Sequence, residues 1–304
     1  MKTLRTHLAE YLEMRRGHGF KTKRHEWLLS SFLTFLEVKQ QRVISSDLAL
    51  DWAKNPAEAH PGWWAKKLST VRVFARYVHV VDARHQIPPR SLLPESTPRS
   101  TPVLYSARDI SKILHAALRL ASPFRAQTHH TLFGLLATTG MRVGEGIRLD
   151  RNDVDWQNQL IVIRHSKFRK SREVALHASA MHALEQYASD RDRFHRKARS
   201  SAFFVSLAGT RLIYNNVHGT FAALLRGAGI ERERARLHDL RHTFAVSTLL
   251  RWHREGLDVH VWLPRLSTYL GHTDPSSTYW YLTASPELMT LVGRKLERVL
   301  GALP

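Results

Sequence analysis

Residues 131–149 read T-L-F-G-L-L-A-T-T-G-M-R-V-G-E-G-I-R-L, and this stretch decides the fold of the C-terminal part of the chain. Its first nine residues are mostly apolar or small and predict a buried helix. Gly140 predicts the end of that helix, because glycine adopts a left-handed backbone at little steric cost. Arg142 then lies at the mouth of a second helix. A guanidinium there is a candidate phosphate ligand, since its planar fork matches phosphate geometry.

Two further polar motifs lie in the last third of the chain. In H-D-L-R-H, which begins at His238, Arg241 follows three positions later, so a helix would project both side chains to one face. The motif L-G-H ends at His272, and Tyr281 stands nine residues after it. Tyr279 is a competing tyrosine two positions earlier. Each of these residues alone fits a surface or packing role, whereas their order and spacing together indicate one site for phosphoryl transfer.

This ordered set resembles the tyrosine recombinase (phage integrase) family over the C-terminal two thirds of the chain. The resemblance implies that Tyr281 is the nucleophile, because the register of the family motif selects it over the neighbouring tyrosine. It further implies that Arg142 and Arg241 hold the phosphoryl oxygens. His238 would assist proton transfer, and His272 would contact the phosphate. The implied reaction gives a 3′-phosphotyrosyl enzyme and needs neither metal nor ATP.

The resemblance also assigns residues in a polar turn, H-S-K-F-R-K-S, that begins at residue 165. Lys167 matches the family's catalytic lysine, which protonates the leaving 5′-oxygen. Arg169 and Lys170 are rivals for that role, since turns tolerate shifts of a few residues, and both are predicted to contact DNA.

Two residues are predicted to support the site from behind. Glu145, one helical turn after Arg142, matches an acidic residue of the family that orients the active-site arginine or histidine. His242 is predicted to be structural or to support Arg241. Asp239 beside the first histidine is explained more simply as a carboxylate at the N-terminal end of a helix.

The composition of the chain indicates the class of its partner and its cellular compartment. The chain has 304 residues and a formal net charge of +20, so a polyanion is the natural partner. No run approaches the ~18 consecutive apolar residues of a membrane span, and the first residues lack an apolar signal core. The chain contains no Cys, which excludes disulfides, thiolate catalysis and Cys-based zinc sites. We therefore predict a cytoplasmic, nucleoid-associated protein without a metal or cofactor.

The predicted fold is mainly α, with an N-terminal helical domain and a C-terminal mixed α+β catalytic domain that holds a small β-sheet. Residues 1–85 show only helical periodicity and predict a DNA core-binding domain. Residues 86–104 contain five prolines and predict a linker. Residues 105–304 form the predicted catalytic domain. Within it, residues 160–164 and 172–176 predict a β-hairpin, 202–206 a further short strand, and helices lie near 178–191, 215–227, 239–254 and 263–270.

A stripe of basic residues accompanies the third apolar helix of the N-terminal domain. These residues are predicted to lie largely off the apolar face and to contact DNA phosphates, although a solvated helix surface explains any one of them equally well. The stripe consists of Lys66, Lys67, Arg72 and Arg76.

Residues 266–289 also resemble recombinases encoded together in bacterial mobile elements, which favours transposition and sister recombinases as partners. The family works as a tetramer on two double-stranded DNA sites, here a homo- or hetero-tetramer. An amphipathic helix after Pro286 is a candidate for exchange between subunits, and a core helix of its own domain is the alternative. Two rival functions stay open: a metal hydrolase built on His238 and His242, and a non-catalytic DNA-binding protein of the same fold.

Overall fold

The computed structural model describes residues 2–93, 101–164, 171–197, 199–230, 235–272, 274 and 276–283, and residues 289–290, 293, 297 and 301. The chain divides into two compact units, Met1–Ser100 and Thr101–Pro304. The predicted turn residues Lys167, Arg169 and Lys170 lie outside the described residues, as does most of the predicted C-terminal helix. Within the described ranges, no helix is long and apolar enough to span a bilayer.

The first unit is a cluster of four helices around an aromatic core. Its three predicted apolar stripes are the buried faces of the first, second and fourth helices, and Phe32 and Phe74 are fully buried at the centre. The third helix is short and begins where the Ser45 hydroxyl accepts from the Leu48 amide. The helices are α1 (Leu4–Gly17), α2 (Lys23–Val38), α3 (Ser46–Ala53) and α4 (Pro61–His79).

One of the four predicted DNA contacts on α4, Lys67, is wrong, whereas Arg72 stays a prediction. The Lys67 side chain is buried, and its Nζ donates to the carbonyls of Trp52 and Asn55 at 2.6 Å each. The Arg72 guanidinium donates to the carbonyls of Pro88 and Pro89. A helical stripe predicts the average direction of a side chain, whereas these long side chains reach backbone acceptors on neighbouring segments.

Lys66 and Arg76 on the same helix are exposed, as a phosphate contact requires. The described beginning of the predicted linker is packed on this unit, since Leu92 and Leu93 contact its core.

The second unit is mostly helical with one three-stranded antiparallel sheet, so the predicted fold class is confirmed. The predicted hairpin is present, with Leu160 opposite Ala175 and Ile163 opposite Arg172. The further strand at 202–206 is wrong, because this segment makes isolated bridges to Asp150 and Arg211 instead. Val154–Asp155 supplies the third strand. The strands are β1 (Val154–Asp155), β2 (Leu160–Ile163) and β3 (Arg172–Ala175).

One helix organises the second unit. This is α6, which packs against α5, α8 and α10, and it ends at Gly140 with φ of 61°. A Cβ at Gly140 would lie 2.4 Å from the Phe244 ring, so the position needs glycine for space as well as for conformation. The helices are α5 (Ala107–Leu118), α6 (Pro123–Thr139), α7 (Val143–Arg148), α8 (Ala178–Phe194), α9 (Tyr214–Gly227), α10 (Asp239–Arg254), α11 (Val259–Leu270) and α12 (Ser276–Thr283).

Helices α10, α11 and α12 form an apolar cluster of their own. Val246 and Leu249 of α10 meet Leu263 and Leu270 of α11, and Tyr281 of α12 completes the cluster. The predicted nucleophile therefore belongs to a small hydrophobic core.

The buried Lys67 ammonium on α4 leads to a prediction about the stability of the first unit. Lys67→Met keeps the length of the side chain but removes the charged donor that the Trp52 and Asn55 carbonyls share. We expect a loss of roughly 1–3 kcal/mol in the free energy of unfolding, measured by urea titration. Lys66→Met, one position earlier and exposed, is the matched control and should change that free energy by less than about 0.5 kcal/mol. Equal stability of the two variants would contradict the buried role.

Candidate active site

The site is built on the C-terminal end of α11, where three consecutive backbone carbonyls each accept from a different arginine. The last carbonyls of a helix lack intrahelical partners and carry the negative end of the helix dipole. They therefore attract cations from three separate elements. The pairs are Arg172 Nε to the Tyr269 carbonyl at 2.8 Å, Arg241 Nη2 to the Leu270 carbonyl at 2.7 Å, and Arg142 Nη2 to the Gly271 carbonyl at 3.0 Å.

Gly271 closes α11 and makes this approach possible. It adopts a φ of 68°, and its amide returns to the carbonyls of the last turn of the helix. A Cβ at this position would lie 2.6 Å from Nη1 of Arg172. The glycine of the Leu-Gly-His motif thus serves both the helix end and the close contact with an arginine.

Arg142 caps the start of α7, as the sequence predicts. Its backbone N–H donates to Oε2 of Glu145 and its Nη1 donates to Oε1, both at 2.9 Å. The Arg142 side chain is 30% exposed, whereas that of Glu145 is 1% exposed. Glu145 therefore holds Arg142 from the protein side and leaves part of the guanidinium open to solvent.

Arg172 is a site residue that the sequence reasoning missed. Its Nη1 and Nη2 form a fork on the Glu145 carboxylate at 3.1 and 2.8 Å. Burial raises the pKa of Glu145, but the hydrogen bonds and charge of Arg172, with help from Arg142, outweigh it and lower that pKa to about 2. A signal was available, because Arg172 alternates in β3 with the buried Val174 and so faces the interior. An inward arginine needs an anionic partner.

Arg241 is almost completely buried, at 2% exposure. Its Nη1 donates to the Gly140 carbonyl at 2.8 Å, so it joins the end of α6 to the end of α11. Burial, reinforced by the charge of Arg142, lowers the pKa of Arg241 to about 10. The guanidinium remains charged at neutral pH.

Three histidines of the predicted site share this cationic environment. Burial followed by the charge of Arg241 lowers the pKa of His238 to about 4 and that of His272 to about 3. Burial and the neighbouring His238 lower the pKa of His242 to about 3. All three imidazoles are therefore neutral at pH 7, and each can accept a hydrogen bond on one ring nitrogen and donate one from the other.

Tyr281 is buried beside these histidines, at 2% exposure, whereas Tyr279 is 48% exposed. The Tyr281 hydroxyl lies 3.1 Å from Nδ1 of His242. The sequence predicts that His242 is structural or supports Arg241, and this contact gives it Tyr281 as a partner. The ring centroid of His272 is 6.1 Å from that of Tyr281, and its Nδ1 is hydrogen-bonded to the Thr278 hydroxyl at 2.6 Å.

Asp239, the first residue of α10, is fully buried and accepts from the Arg236 amide and guanidinium. This matches the simple explanation of a carboxylate at a helix start.

The second unit thus brings seven of the predicted residues into one cluster, and Lys167 lies outside the described ranges. No group of three metal-ligand side chains occurs among the described residues. The seven are Arg142, Glu145, His238, Arg241, His242, His272 and Tyr281.

The chain is similar in sequence to known integrases and recombinases. The phage integrase family matches residues 105–287. The integrase/recombinase y4rB of Sinorhizobium fredii is 45% identical over 98% of both chains. The tyrosine recombinase XerC of Thermodesulfovibrio yellowstonii is 26% identical over 91% of this chain and 90% of its own.

Solved structures share the fold. The Tn1549 transposon integrase, in complex with transposon right end DNA, superposes with a TM-score of 0.70 at 15% identity and covers 99% of this chain and 100% of its own. The XerH recombinase, bound to its palindromic difH substrate after cleavage, gives a TM-score of 0.64 at 18% identity over 84% of this chain and 72% of its own. Family match, full-length relatives and fold agree: the chain belongs to the phage integrase family of tyrosine recombinases, and it is a site-specific enzyme that cleaves and rejoins DNA strands.

Proposed function

We propose that Tyr281 is the nucleophile of this recombinase and that Arg142 and Arg241 bind the scissile phosphate. The observation that carries the proposal is the buried Tyr281 hydroxyl, 3.1 Å from a neutral imidazole and within a strongly cationic cluster. Attack of the phenolic oxygen on phosphorus forms a tyrosyl–phosphate bond and breaks the bond to the 5′-oxygen. A 5′-hydroxyl of a partner strand then reverses the step, so the energy of the broken bond is conserved in the ester.

His242 is well placed to activate the nucleophile. A tyrosine with an ordinary pKa near ~10 is mostly protonated at pH 7 and needs a base or nearby cations. Because the pKa of His242 is lowered to about 3, its ring is neutral, and Nδ1 can accept a hydrogen bond from the phenol and orient its oxygen when the ring hydrogen lies on Nε2. The nearby guanidinium charges would stabilise the phenolate that attacks phosphorus. This gives His242 a more direct role than the sequence alone predicts.

Arg142 and Arg241 are the proposed ligands of the non-bridging oxygens. The hydrogen bonds described above use two of the five side-chain N–H donors of each guanidinium, which leaves donors for a phosphate. Because both groups are fixed by backbone carbonyls, they need little reorganisation as charge develops on the phosphoryl oxygens. His238 would assist proton transfer and His272 would contact the phosphate. Lys167 would protonate the leaving 5′-oxygen, an assignment that rests on the resemblance.

The wider assembly is also part of the proposal. We place the enzyme on two double-stranded DNA sites as a tetramer, with sister recombinases as possible co-subunits and a bacterial mobile element as its context. The support is the likeness to a transposon integrase bound to transposon DNA and to a lambda integrase dimer bound to a core site. The exposed Lys66 and Arg76, together with Arg72, Arg169 and Lys170, are the proposed DNA contacts. Such an enzyme would work at the nucleoid in the cytoplasm.

A nicked suicide substrate that carries the DNA flanking the gene tests the nucleophile. The native protein should form an SDS-resistant adduct, and Tyr281→Phe should form none while it binds the same DNA, because the ring is kept and the attacking oxygen is lost. Tyr279→Phe is the matched control and should form the adduct. An adduct with Tyr281→Phe, or its loss in Tyr279→Phe, would overturn the assignment. If the native protein binds specifically but forms no adduct, the non-catalytic reading is favoured.

The same assay in the presence of EDTA tests the expectation that no metal takes part. Adduct formation should be unchanged, since the charge on the phosphate is offset by guanidinium groups. A loss that added Mg²⁺ or Zn²⁺ restores would revive the metal hydrolase alternative.

The two phosphate-binding arginines generate a rate prediction. Arg142→Ala and Arg241→Ala should each slow single-turnover cleavage about a hundredfold or more, the scale for losing one fixed oxyanion donor. Overall DNA affinity should change little, because a chain with 46 Lys and Arg keeps many other cations. Arg148→Ala, at the exposed end of α7, is the control and should cleave at the native rate. Native-rate cleavage by either site variant would remove that arginine from the phosphate.

A further inference from the structure

We propose that Arg172 is a positioning residue that keeps the charge of Arg142 available to the phosphate. It would do so by neutralising Glu145 and by tying β3 to α7 and to the end of α11. The inference rests on the proposed function, in which Arg142 binds the scissile phosphate. It concerns a residue outside the set of catalytic and supporting positions that the sequence motifs indicate.

Glu145 is shared between two arginines, and the guanidinium of Arg172 donates more hydrogen bonds to it than the guanidinium of Arg142 does. The carboxylate accepts four hydrogen bonds, two of them from the fork of Arg172 at 3.1 and 2.8 Å. The guanidinium of Arg142 supplies one and its backbone N–H supplies another. The Glu145 and Arg172 side chains are 1% and 10% exposed, so water does little to screen their charges.

Because Glu145 bonds to both arginines, Arg172 sets the net charge of the group formed by Arg142, Glu145 and Arg172. Without Arg172, the buried carboxylate would have Arg142 as its remaining guanidinium partner among the described hydrogen bonds. The pair would be electrically neutral, and the fork of Arg142 would be drawn toward Glu145 and away from solvent. With Arg172 in place, the group of three carries one net positive charge. Arg142, which is 30% exposed, is the member that can present this charge to an anion.

Arg172 also fixes the relative positions of three segments that carry site residues. It stands at the start of β3, five residues after Lys167 in the sequence. Its fork holds Glu145 on α7, and its Nε holds the Tyr269 carbonyl next to the Leu-Gly-His turn. The close approach to Gly271, where a Cβ would clash at 2.6 Å, shows that the turn is shaped around this side chain.

A double-mutant cycle distinguishes this role from a merely structural one. Arg172→Met should slow single-turnover cleavage by about 10- to 100-fold, the usual scale for an outer partner of a site group. Adding Glu145→Gln to Arg172→Met removes the uncompensated carboxylate, and the double variant should cleave at least about threefold faster than Arg172→Met, a positive coupling between contacting residues. Arg172→Lys keeps the charge without the fork and should fall between Arg172→Met and the native protein.

The matched control is Arg191→Met. Arg191 is also buried, and it makes the same kind of contacts, a fork on Asp192 and one bond to the Phe203 carbonyl, within the second unit. Arg191→Met should lose about as much thermal stability as Arg172→Met. It should cleave at the native rate at a temperature where it is folded. DNA affinity, measured by gel shift, should be close to native in every variant. Should Arg172→Met fail to fold, Arg172→Gln takes its place with the same expectations.

Three results would overturn the inference. The first is native cleavage by Arg172→Met in a preparation where the native protein forms the adduct, which leaves the proposed function standing. The second is a slowed cleavage in Arg172→Met that the added Glu145→Gln does not relieve. The third is an equally slowed cleavage in Arg191→Met, since both results indicate general destabilisation. If the native protein itself forms no adduct, the proposed function fails and the role of Arg172 fails with it.

Discussion

The whole site depends on the polar end of one helix. Carbonyls of consecutive residues at the C-terminus of α11 have no partner within the helix, and buried carbonyls must find donors elsewhere. Arg142, Arg172 and Arg241 supply them from α7, β3 and α10. Like charges would normally keep three guanidiniums apart. Here the helix dipole and the Glu145 carboxylate offset the repulsion, so the cluster can stay assembled before a phosphate arrives.

The same arrangement sets the protonation of the site. Burial and adjacent cations lower the pKa values of His238, His242 and His272 far below the ordinary histidine value. The three imidazoles are therefore neutral at pH 7. A site whose cations are arginines and whose histidines are neutral separates two tasks. The arginines provide charge that does not titrate near neutral pH, and the neutral imidazoles provide hydrogen-bond acceptors.

Much of the fold could be read from the sequence. Apolar periodicity located most of the longer helices of both units, and strand alternation located the hairpin, because these patterns report directly on which side chains are buried. The buried position of Lys67 could not be predicted in this way. Lys67 and Arg72 have long side chains whose charged ends donate to backbone carbonyls of other segments, and periodicity carries no information about such acceptors.

The candidate site, like the fold, could be predicted only in part from the sequence. The residues brought together by motif spacing, such as Arg142 and Tyr281, were predictable. The contact between His242 and Tyr281 and the fork of Arg172 on Glu145 depend on how separate elements pack, which spacing does not encode. The inward position of Arg172 in β3 was the available clue, and it indicated a partner without identifying one.

Tyr281 is both the proposed nucleophile and a member of the apolar cluster formed by α10, α11 and α12. A residue joined to DNA in this way is anchored at its other end by packing, so the covalent intermediate would tether the strand to a hydrophobic core and not to a loose surface loop. Pulling the strand out of the site would then mean extracting an aromatic ring from its packed surroundings. Retention of the cut end during strand exchange would be a mechanical property of that core.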